Sequence, residues 1–154
     1  MRLVVFAVAL ICGAISSVLA ETVPKYMVTF SGTCKFKLIE GFFPCSDKVI
    51  LVQFQNGMGA QYVFVKDETL FILSSHSDRQ PNLENYYSSI DKLEIMKAKE
   101  IELSDNRMEG ECHMKLNSSA TEFYSIDCEV YDRAKGIGFS FILDDINSFD
   151  KKQF

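Results

Sequence analysis

Tryptophan is absent from this 154-residue chain, proline occurs three times and histidine twice. So little proline, with only 8 glycines, excludes collagen-like repeats and proline-rich linkers. Basic residues are outnumbered, 16 against 21 acidic, so no cationic surplus exists to neutralise phosphates and a nucleic-acid partner is not expected. The chain also lacks HExxH, CxxC, an EF-hand loop and a phosphate-cradling glycine loop. Apolar material, by contrast, is plentiful: 47% of residues are hydrophobic, among them 13 Phe and 6 Tyr. That is too apolar for a disordered chain and enough for the core of one domain.

Residues 1–20 read as an export signal. Arg2 supplies a positive start, Leu3 to Ile15 carry no charge, and Val18 and Ala20 precede a cleavage point before Glu21. The apolar stretch is shorter than the roughly 20 residues of a membrane span. Cys12 belongs to the signal, which leaves Cys34, Cys45, Cys112 and Cys128. An even count in an exported chain predicts two disulfides and a secreted or periplasmic location.

The mature chain alternates as strands do. Tyr26, Val28, Phe30, Cys34 and Phe36 share one parity, while Lys25, Thr29, Ser31, Thr33, Lys35 and Lys37 share the other. Asn56-Gly57 suits a tight hairpin turn between Asp47–Gln55 and Gln61–Lys66. With Asp67-Glu68 as the next turn, Phe64 meets Phe71 and Tyr62 meets Leu73, while Val63 meets Ile72 and Val65 meets Leu70. Both faces of that meander are apolar, which predicts cover on both sides.

A hairpin loop over Ser118 to Glu122 would pair Leu116 with Tyr124, Met114 with Ile126 and Cys112 with Cys128. The run Gly32-Thr33-Cys34-Lys35-Phe36-Lys37-Leu38 is echoed by Gly110-Glu111-Cys112-His113-Met114-Lys115-Leu116. The echo favours two local bridges, Cys34–Cys45 and Cys112–Cys128, over the two connectivities that would link the halves. Residues 83–103 fit either two short strands or a helix, and strands are preferred. The expected fold is mainly β, an antiparallel β-sandwich or half-open barrel with two disulfides. Residues 21–146 would form the single domain and 147–154 a flexible polar tail.

Catalytic chemistry has little to stand on. Two disulfides leave no thiol for a Cys–His pair. His76 lies in Ser74-Ser75-His76-Ser77-Asp78, yet triad members meet through the fold and not by adjacency in sequence. Cys112 and His113 are adjacent and point to opposite faces, so no metal site is expected, nor a cofactor, nor an enzyme. Insertion as a membrane barrel is not expected either, because Ser148, Asp150 and Lys152 break the apolar alternation toward Phe154. Binding surfaces are the better candidates: Phe42 and Phe43 inside the first disulfide loop, and the polar segment His76 to Asn85 with Arg79, ending at Tyr86-Tyr87.

The chain resembles small Sec-exported, two-disulfide β proteins of rhizobial alphaproteobacteria. The residues that carry the likeness are Gly32-x-Cys34, Cys45-Ser46, Asn56-Gly57, Asp78-x-Gln80-Pro81 leading to Tyr86, Ile90-Asp91-x-Leu93, and Gly110-x-Cys112 with Cys128. The resemblance spans about residues 26–143 and implies a compartment and a β fold, without catalytic residues. Similarity to Liberibacter-type exported proteins implies a secreted effector acting on a host protein. The expectation is therefore a non-enzymatic interaction protein. The alternatives are a periplasmic small-ligand-binding β module, or a protease inhibitor using Phe42-Phe43 as a wedge.

Overall fold

The computed structural model describes residues 24–38, 41–55, 59–97 and 100–154. The expected export signal with Cys12 and the expected turn at Asn56-Gly57 lie outside them. Ten strands follow in order: β1 Pro24–Leu38, β2 Gly41–Pro44, β3 Lys48–Phe54, β4 Ala60–Lys66, β5 Thr69–Asn82, β6 Asn85–Lys97, β7 Glu100–Asp105, β8 Met108–Leu116, β9 Phe123–Asp132 and β10 Ile137–Gln153. Within residues 83–103, 85–97 and 100–103 are strand and 83–84 form the turn before them.

All pairings are antiparallel, and β1-β3-β4-β5-β6-β8-β9-β10 form a circuit that β10 closes by pairing with β1. Neither a sandwich nor a half-open barrel results, but a closed eight-strand barrel. Closure removes the free edges that an open sheet would expose. β2 extends β3 along β1, and β7 extends β8 along β6. Two long strands are therefore each faced by a broken one.

Closure also decides the fate of residues 147–154. In place of a flexible tail, all but Phe154 complete β10: Phe30 faces Phe149, Val28 faces Lys151 and Tyr26 faces Gln153. Without that pairing β1 would present a long bare edge, so ladder bonds outweigh the local polarity of the segment.

The interior follows the expected parity. Phe64–Phe71 and Tyr62–Leu73 pair inward in the expected register. Their outward neighbours Val63, Val65, Leu70 and Ile72 are only half-buried, so the expected cover on both sides is not met. Elsewhere the outer parity carries charge, including Lys35, Lys37, Glu109, Lys115 and Glu129.

Cys112 and Cys128 are direct cross-strand partners, bridged with a Cα separation of 4.0 Å. Cys34–Cys45 ties β1 to the break between β2 and β3, at 5.1 Å. Closing loops of such length contributes about 3 kcal/mol each by the loop-entropy account. Two such bridges belong to an oxidising, extracytoplasmic environment. Both glycines of the repeated motif sit at close strand approaches. A Cβ on Gly32 would lie 2.5 Å from the Asp144 carbonyl oxygen, and one on Gly110 would lie 2.1 Å from that of Glu129.

One register expectation fails. A shift between Lys115 and Leu116 pairs Leu116 with Phe123, so Phe123 turns inward and Tyr124 is left 53% exposed. Such a shift is a β-bulge, which re-aims every side chain beyond it.

Candidate functional site

The two ends of the barrel are filled differently. At the end bearing the β4–β5 turn, Phe36, Phe64, Phe71 and Phe141 stack with ring centroids 4.7 to 5.4 Å apart. Aromatic pairs at such spacing add to their burial and leave no room for a guest. Nearby, the buried Asp105 carboxylate receives Arg107 and Lys135, and Lys135 also approaches Asp132. Hydrogen bonds from the Arg107 side chain and backbone amide hold Asp105 well below its ordinary carboxyl range, with Lys135 adding to them.

The opposite end is hollow. A cavity of about 240 Å³ opens among side chains of β1, β3, β5, β6, β8, β9 and β10. Its floor is apolar, made by Val28, Phe30, Leu51, Met114 and Leu116, with Ala120 of the β8–β9 loop at its side. Its rim is polar: Tyr26, Gln80, Tyr86 and Lys151. The alternation that packs Phe side chains at one end thus delivers smaller and polar ones to the other.

Behind the rim lies a hydrogen-bonded group. The Tyr86 hydroxyl donates to Gln53 Oε1 at 3.3 Å, and Gln53 Nε2 donates to the Gly59 carbonyl at 3.1 Å and to Asp78 Oδ2 at 3.3 Å. Ser75 Oγ donates to Asp78 Oδ1 at 3.1 Å and accepts from the Ala60 amide at 2.9 Å. Deeper in, the Tyr62 and Ser88 hydroxyls share a bond of 2.7 Å. Burial first, and the Asp78 charge second, raise the Tyr26 and Tyr86 hydroxyls above their ordinary 10.0. Both therefore keep their protons, and Tyr86 gives its one to Gln53 Oε1.

The residues singled out from sequence are dispersed. Tyr86 points into the cup, whereas Tyr87 points outward, where the Arg79 guanidinium lies 3.9 Å above its ring. Tyr87 stacks in turn on His113 at 4.2 Å, and Arg79 pairs with Glu111 at 2.9 Å. Burial, then the Lys115 charge, lowers the His113 imidazole below its ordinary value. His76 Nδ1 meets Asp91 on the surface at 3.1 Å, away from Ser75 and Asp78, so the Ser-His-Asp run assembles no triad. Phe42 is 57% exposed at the plugged end, with the Lys37 ammonium over its ring, and Phe43 sits beside Lys66. Among the described residues no group of three His, Cys, Asp or Glu is placed to hold a metal.

Asp78 and Gln80 fall in the polar segment singled out from sequence, whereas Tyr26, Gln53 and Lys151 had no motif to reveal them. The one available signal was polarity at inward parity: Lys151 shares its parity with Phe149.

Fold and site together define a closed, up-and-down antiparallel β-barrel, solid at one end and hollow at the other. No protein-family model, curated protein or solved structure matches the chain.

Proposed function

We propose that this protein is a binding module for a small ligand with an apolar body and a hydrogen-bonding head. The observation that carries the reading is the apolar cup of about 240 Å³ under a polar rim, opposite the end where phenylalanines stack. Eight strands enclose a space that side chains either fill or leave for one small guest. The floor residues Leu51, Met114 and Leu116 would desolvate the ligand body, and the Tyr26 and Tyr86 hydroxyls would meet its head. Export through residues 1–20 belongs to the same proposal and sets the site of action in the periplasm or outside the cell.

The test is organic extraction of the purified, oxidised protein, followed by uptake of an environment-sensitive apolar dye. Met114→Trp should fill the cup and abolish dye uptake while the barrel stays folded. Dye binding unchanged by Met114→Trp, with no extracted molecule, would count decisively against the cup.

A second reading, contact with a protein, is favoured by the exposed Arg79–Tyr87–His113 stack on the outer face of β5, β6 and β8. Arg and Tyr are the residue types that dominate interface energetics. Affinity purification from the natural surroundings should then recover a partner that Arg79→Ala with Tyr87→Ala loses. Identical recovery by both forms would remove this reading.

A further inference from the structure

The barrel wall is incomplete beside the cup. Pairing between β9 and β10 ends at Leu143 with Ile126, although β9 begins earlier at Phe123 and β10 continues to Gln153. Among the described residues the outer half of β10 is paired by β1 alone. A register shift opposite Ser31 and Thr33, with Asp145 at φ 51°, carries β10 away from β9 at this point.

Outside the opening lies a groove of about 390 Å³ lined by Tyr124, Ile146, Asn147 and Ser148, with Glu122 at its side. Phe123 and Phe149 line both this groove and the cup. Their rings meet edge to face at 4.9 Å, and Phe123 also meets Phe30 on the floor at 4.9 Å. Phe149 is 45% exposed, while its ladder partner Phe30 is fully buried. Phe123 and Phe149 are thus the two side chains that the linings of cup and groove share. Rings turn about side-chain torsions without moving a strand.

We infer that Phe123 and Phe149 gate a lateral portal between β9 and β10, through which the tail of a linear carboxylate passes from cup to groove. The inference rests on the cup reading. Size sets the shape of the guest: about 240 Å³ falls below the roughly 300–1,000 Å³ of a complete drug-sized site. A longer ligand must continue into the groove, and only a linear chain follows that path. Charge sets the head. Lys151 is the one cation lining the cup; its ammonium lies 4.3 Å above the Tyr26 ring, and no carboxylate among the described residues lies within ion-pair distance of it. Asp78, the nearby anion, already accepts from Gln53 and Ser75.

Calorimetric titration of the oxidised protein with octanoate and with palmitate tests the portal. Palmitate should bind at least about tenfold tighter, a difference well within calorimetric reach. Tyr124→Glu with Ser148→Glu alters only the groove, so it should cost palmitate that advantage and leave octanoate unchanged. Equal affinities for the two acids, or equal losses in the variant, would overturn the portal while the cup stands. No binding of either acid, with binding of a neutral apolar dye retained, would overturn the carboxylate. No binding of anything by a folded sample would overturn the cup and the portal together.

Discussion

The Tyr62 and Ser88 hydroxyls meet at 2.7 Å in the centre of the barrel, both fully buried, and bridge β4 to β6 across the strand between them. Each is the other's partner, so truncating one strands the other in an apolar interior. Ser88→Ala should cost about 1–3 kcal/mol, the usual penalty for an unsatisfied buried hydroxyl. Adding Tyr62→Phe should recover part of that loss, because both polar groups are then gone. A double-mutant cycle from urea unfolding reads the coupling, and strictly additive losses would show that the bond contributes nothing.

Gly110 is held against β9 more tightly than any side chain allows. An added Cβ would lie 2.1 Å from the Glu129 carbonyl oxygen and 2.7 Å from the Val130 Cα. Backbone cannot step aside as a flexible side chain does, so Gly110→Ala should cost about 1–3 kcal/mol by overpacking. Gly138 is the control, since its nearest neighbour would be a Tyr131 ring carbon at 3.4 Å. Melting temperatures of the two alanine variants should separate clearly; a shared value would put the close approach in error.

Acid should loosen the plugged end through Asp105. Its folded carboxyl lies well below the ordinary 3.8 because Arg107 and then Lys135 favour the charged form. A depressed folded value means that the stabilisation is complete above the unfolded value and is lost as the pH falls through the folded one. The gap in urea midpoint between wild type and Asp105→Asn should be widest above about pH 5 and close on acidification. A gap that does not change with pH would assign the residue a packing role only.

The β4–β5 turn holds Asp67 at φ 47° and Glu68 at φ 65°, the left-handed geometry that two-residue hairpins demand. Residues with a Cβ occupy that region at a cost of about 1–2 kcal/mol, which glycine escapes. Glu68→Gly should therefore raise stability by up to about 1 kcal/mol, after glycine's extra unfolded-state entropy is subtracted. Thermal melts check it, and a fall in melting temperature would contradict the turn geometry.

Legibility differed by element. The β4–β5 register was readable because two apolar faces and a two-residue turn leave one alignment in which like meets like. The Cys112–Cys128 bridge was readable because one apolar face, with Met114 opposite Ile126, sets the two cysteines across from each other. Leu116 with Tyr124 was misread because a bulge leaves no mark in hydrophobic periodicity. The end of β10 was misread because its polarity is local, whereas its partner lies more than a hundred residues away in β1. Of the candidate contacts only Tyr86 reached the cup. Its neighbours there carried no spacing that could announce them.

Local periodicity and turn chemistry, both written within a few residues, determined by themselves that the chain forms antiparallel strands and which parity turns inward, and they favoured the Cys112–Cys128 pairing. Barrel closure, the break beside β10 and the gathering of Tyr26, Gln53, Asp78, Tyr86 and Lys151 at one mouth belong to the tertiary structure alone. Closure is a pairing between the chain's distant ends. The position of a polar residue along the barrel axis depends on the stagger of all eight strands, which no single segment encodes.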